Sequence, residues 1–133
     1  MPYRSQKISG TPVGYIALQK KKLMSSQITD NQFKKEVLEN SHLSLVHFKK
    51  EWNGACQIIS PIFEDLTRSY KSNVKFFTVD TDKEKFIATE FGISETPAIL
   101  FFKNGEVIDH SIGLISKNDL IAKIENALIE IKN

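Results

Sequence analysis

Few residues in this chain could do covalent chemistry. There is one cysteine, Cys56, and there are three histidines, His42, His47 and His110. A single thiol cannot close an intramolecular disulfide, so the cysteine count gives no argument for an oxidising compartment. It also excludes a zinc site built on four cysteines, or on two cysteines and two histidines. The histidines are scattered without ligand spacing, and no metal or other cofactor is expected. Asn53 stands three residues before Cys56, where a helical pattern begins. Its amide is not a nucleophile at any accessible pH, but asparagine is among the best helix N-caps.

These residues depend on the elements around them. His47 lies in Leu43-Ser-Leu-Val-His-Phe48, a mostly apolar run with the length of a buried strand. Ahead of it, Thr29 or Asp30 can cap a helix whose apolar face is Phe33, Val37 and Leu38. From Ala55 to Tyr70 the period is helical through Ile58, Ile59, Ile62, Phe63 and Leu66, with Pro61 inside removing one donor and predicting a kink. Val74 to Asp80 reads as a second strand. Asp82 is expected to cap a short helix carrying Phe86, Ile87 and Phe91, stopped by Gly92.

Ala98 to Lys103 is a third strand, and Asn104-Gly105 is a strong hairpin signal. The return strand begins at Glu106 and reaches His110 or a little beyond. A last helix over Lys117 to Ile131 presents Leu120, Ile121, Ile124, Leu128 and Ile131. The order is helix, strand, helix, strand, helix, hairpin, helix. Strand–helix–strand units favour parallel pairing with helices on both faces, and the hairpin adds antiparallel strands. The fold class is therefore α/β, a central mixed β-sheet flanked by helices on both faces.

The bulk properties agree. A length of 133 residues suits one domain, and 41% hydrophobic with 26% charged residues is ordinary for a globular protein. No apolar run approaches the roughly 20 residues that span a bilayer, so no membrane role is expected. Before Asp30 there is no acidic residue, but Arg4, Lys7, Lys20, Lys21 and Lys22 give the start of the chain five positive charges. Residues 1–24 read as a flexible basic leader, with a start-site artefact and a transit peptide as the alternatives. Residues 25–133 form the domain. The triple lysine is read as a solvated run, and Phe76, Phe77, Phe101 and Phe102 as core, so no nucleic-acid partner is expected.

Five motifs in order carry a family resemblance. They are Trp52-Asn-Gly-Ala-Cys56, Pro61, Val79-Asp80, Phe91-Gly-Ile-Ser-Glu-Thr-Pro97 and Phe101-Phe-Lys-Asn-Gly-Glu-Val107. Together they resemble the thioredoxin family over Ser25 to Asn133, which implies a thioredoxin-like fold. The family's redox motif is Trp-Cys-Gly-Pro-Cys. Here its first cysteine is Asn53, its proline is Ala55 and its second cysteine is Cys56. In the family the first cysteine attacks the substrate disulfide and the second resolves the mixed disulfide. Without the first, ordinary dithiol–disulfide exchange is not expected.

The resemblance implies more about the remaining residues. Cys56 would be shielded one turn into the helix, as an inert packing thiol. His47 stands where the family keeps a buried Asp beneath the second cysteine, and Phe76 where bacterial members keep a buried Lys. Lys49 replaces an aromatic residue. His47 is then either a neutral core histidine or a base for Cys56. Thr96-Pro97 matches the family's cis-proline junction, so Trp52, Gly54, Thr96, Pro97 and Gly113 would line a shallow groove for an extended peptide or protein partner. The expected role is a redox-inactive binding module, as a monomer or weak dimer. The alternative is a monothiol oxidoreductase in cell redox homeostasis, with Cys56 acting on glutathione or another small disulfide, and self-association is a third reading. A lone free thiol fits a reducing, cytoplasmic interior.

Overall fold

The computed structural model describes residues 25–132, with side chains described through residue 130. The basic leader, residues 1–24, and the side chain of Ile131 lie outside the described residues.

Among the described residues, five strands build one sheet. They are β1 (Ser26–Gln27), β2 (Leu43–Lys49), β3 (Val74–Asp80), β4 (Ala98–Lys103) and β5 (Glu106–Ile112). Their spatial order is β1-β3-β2-β4-β5. β1 and β2 run parallel to β3, whereas β4 is antiparallel to both β2 and β5. Parallel pairing demands crossovers, and the helices supply them. α1 (Asp30–Phe33) leads into a π-wound segment (Lys34–Leu38), followed later by α2 (Gly54–Tyr70), α3 (Lys85–Glu90) and α4 (Lys117–Lys132).

The central strands are buried on both faces, which explains why they read as near-continuous apolar runs rather than as alternation. On one face Leu43, Leu45, Phe76, Ile99 and Phe101 meet Ile59, Phe63 and Leu66 of α2 and Leu120 and Ile124 of α4. On the other, Val46, Phe48, Phe77, Val79, Leu100 and Phe102 meet Phe33, Val37 and Ile87. His47 is at the centre of this sheet, opposite Thr78 of β3 and Ile99 of β4. Strand alternation puts it on the same face as Leu45, under α2, where its ring packs 5.2 Å from that of Phe63.

Several local expectations are corrected. The sequence pattern misses β1, because two residues carry no readable period. The first helix is α-helical for only one turn before it widens. Asp82 does not cap α3. The helix starts after Glu84, and Asp30 of α1 accepts from the backbone N–H of Ile87 at 3.0 Å and of Phe86 at 3.4 Å. Phe86 and Ile58 face outward, with Phe86 68% exposed, and the apolar side of α3 is carried by Ile87 and Ala88. α2 starts at Gly54, one residue before the expected Ala55, and includes Pro61. At the hairpin, Asn104 and Gly105 both have positive φ, 53° and 82°, which is the I′ type of turn that matches strand twist.

Candidate functional site

The N-terminus of α2 is built by Asn53. Its side-chain Oδ1 accepts from the backbone N–H of Cys56 at 3.0 Å, satisfying one of the donors a helix start leaves open. Its Nδ2 donates to the backbone carbonyl of Thr96 at 3.4 Å. One amide thus caps the helix and ties it to the loop ahead of β4. A thiol at this position has no second polar arm with which to do both.

That loop carries the other predicted groove residues. The Thr96–Pro97 peptide bond is cis. The Pro97 carbonyl accepts from the Gly113 N–H at 2.8 Å, so the segment before β4 and the end of β5 are joined. Gly113 has φ of 84°, a left-handed conformation that glycine adopts without strain. Gly54 opens α2, and open space surrounds the position a Cβ would take there. Trp52, in the turn before Asn53, is 88% exposed. The bonds bring Asn53, Cys56 and Thr96 together, and Pro97 with Gly113. Trp52 stands beside them with its ring in solvent.

Cys56 is 2% exposed. What little of it is reachable forms part of the wall of a depression of about 700 Å³, with Lys49, Gln57, Ser60, Pro61 and Glu64. Cys56 therefore lines the Lys49 side of α2. His47 is 1% exposed, and its Nε2 has no hydrogen-bond partner among the described residues. Burial, and then the positive charge of Lys49, hold its pKa down from 6.5 to about 4. No hydrogen bond connects Nε2 to Cys56. An imidazole that keeps a proton only below about pH 4 is poorly matched to take one from a thiol at neutral pH.

Two features of this region escape sequence reading. The Asn53–Thr96 bond spans 43 residues, so no local pattern signals it. A small cavity of about 50 Å³ is lined in part by Ser25, His47 and Glu64, from segments far apart in the chain. Among the described residues, no group of three or more His, Cys, Asp or Glu is placed to hold a metal ion, and no helix is long and apolar enough to cross a membrane.

A mixed sheet in the order β1-β3-β2-β4-β5, covered by helices on both faces and carrying its site where α2 starts beside the loop before β4, defines a thioredoxin-fold domain. Sequence comparison makes the assignment specific. The Thioredoxin family profile matches residues 24–126. The chain is 40% identical over 105 residues to a thioredoxin of Rickettsia felis, covering 79% of this chain and 100% of that protein. It is 37% identical over 99 residues to a thioredoxin of Pyropia yezoensis, covering 74% and 92%. A protein named thioredoxin 1 from a Nostoc species is 32% identical over 104 residues, covering 78% and 97%. The chain belongs to the thioredoxin family.

Proposed function

We propose that this domain has given up dithiol–disulfide exchange and serves as a redox-inactive module that binds an extended peptide or protein partner. The observation that carries the reading is the double bond-making of Asn53. The residue in the attacking position is a structural tie between α2 and the Thr96 loop, and the one remaining thiol is buried behind it. A docked segment would pair with backbone beside Pro97 as an added strand, which needs no chemistry. Trp52 offers a large exposed ring at the edge of that backbone, and such residues often anchor interfaces.

The test is binding to an arrayed library of extended peptides that contain no cysteine. Cys56→Ser is expected to leave binding unchanged, since Cys56 is only 2% exposed. Trp52→Ala should weaken it by about 30-fold, corresponding to the roughly 2 kcal/mol lost at an aromatic hot spot. Because Trp52 is already in solvent, this variant should fold normally, so a loss of binding reports the surface itself. Equal binding by the Trp52→Ala and unaltered proteins would sink the groove assignment.

One observation favours the competing enzymatic reading, namely that Cys56 borders the Lys49 depression. A monothiol oxidoreductase using glutathione would enter there. Under that reading Cys56→Ser abolishes function, and Trp52→Ala leaves it intact.

A further inference from the structure

Beside Thr96 lies a concave feature that the groove reading does not use. A depression of about 220 Å³ opens between the turns after β2 and β3, the helix α3 and the loop before β4. Most of its wall is polar. Thr89, Ser94 and Thr96 bring hydroxyls, and the charged groups are Lys50, Lys85 and Asp82. Two ammonium groups against one carboxylate leave the depression with an excess of positive charge. Lys50 reaches Asp82 at 4.0 Å, and both side chains are more than half exposed. A pair held so loosely in water contributes little and exchanges partners at small cost. Lys85, the first residue of α3, is exposed and makes no ion pair among the described residues. The hydroxyls of Thr89, Ser94 and Thr96 likewise make no hydrogen bond among those residues.

We propose that this depression selects an acidic side chain, an aspartate or a glutamate, on the extended peptide that docks at Thr96. The inference rests on the groove reading above and adds the chemistry of the occupant. Thr96 belongs to the loop that would pair with the peptide, and it is also a wall of the depression. Side chains alternate along an added strand, so one that points toward α3 enters it. A carboxylate there is met by Lys85 and Lys50, and the open hydroxyls supply further donors. Charge-assisted bonds of this kind are the stronger class, and a like charge in the same place is repelled. A lysine would face two ammonium groups and find one carboxylate, already shared with Lys50. The same charge turns away the chain's own leader, since the five charged residues before Asp30 are all basic.

The experiment measures binding of cysteine-free extended peptides to the full chain in matched sets, in which one position at a time carries Glu, Gln or Lys. In the unaltered protein the responsive position should favour Glu over Gln by about fivefold or more at low salt, and over Lys by a wider margin. Added salt should narrow the gap, because exposed charges are screened. In the double variant Lys50→Glu, Lys85→Glu the order should invert and favour Lys. Both lysines are exposed, so the variant should fold normally, which an unchanged circular-dichroism spectrum reports. Equal binding of the three members of every set overturns the acidic pocket and leaves the groove standing. A Glu preference that survives the double reversal overturns it as well. If no peptide of any set binds the unaltered protein, the groove reading itself fails, and the pocket with it.

Discussion

Acidification from about pH 7 to below pH 4 is expected to cost the folded protein roughly 3 kcal/mol at His47 alone. In the unfolded chain the imidazole takes a proton near its ordinary value of 6.5. In the folded chain, burial and Lys49 delay this until about 4. Between those values the unfolded state binds more protons, so stability is full above 6.5 and falls with pH until the loss is complete below the folded value. At about 1.4 kcal/mol per pH unit, the gap gives the stated figure. With His47 only 1% exposed, screening by solvent does little to reduce it. Urea unfolding of the unaltered protein and of His47→Leu at several pH values is the check. Carboxylates titrate over much of the same range in both proteins, so the difference between them isolates the imidazole. The leucine variant should gain on the unaltered protein by roughly 3 kcal/mol across the window. Parallel curves would mean that His47 is protonated, or solvated, in the folded state.

Returning a thiol to the attacking position, Asn53→Cys, should raise disulfide reductase activity from background to a readily measured turnover. The substituted residue would stand at the N-terminus of a 17-residue helix, three residues before Cys56. A helix start lowers a thiol from about 8.5 toward 7, which raises its thiolate fraction at neutral pH by roughly tenfold or more. Turnover should therefore exceed that of the same substitution at an exposed loop position by at least about that factor. The same change removes the cap and should cost about 1 kcal/mol of stability. The check is reduction of a protein disulfide with dithiothreitol as electron donor. If the variant stays at background, the surroundings have changed past recovery, with His47, Phe76 and Ala55 the first places to look.

Much of this was legible from residue types. β3 and β4 match their predicted bounds, because runs such as Ala98–Lys103 are buried on both faces and end in strong turn chemistry. Asn53 as the cap of α2 was legible for the same reason, since capping is decided within three residues. The errors fall where distant segments decide. β1 exists because it pairs with β3, and α3 starts where Asp30, more than 50 residues earlier, receives its N–H groups. Phe86 matched a helical period yet faces solvent, since a helix of six residues buries only one narrow side. At the site, the burial of His47 followed from its strand. Its unpartnered Nε2 and the tie from Asn53 to Thr96 did not, because both depend on how α2 and the loops pack.

The central claim is that the thioredoxin fold persists here without a working thiol. The most direct measurement is the alkylation rate of Cys56 in the native full chain from about pH 5 to 10, read by mass spectrometry. Burial to 2% exposure predicts slow labelling at every pH at which the fold persists, with rapid labelling only after denaturant is added. Fast labelling of the folded protein that has already reached its plateau at neutral pH would reveal an activated thiolate, and would contradict the account.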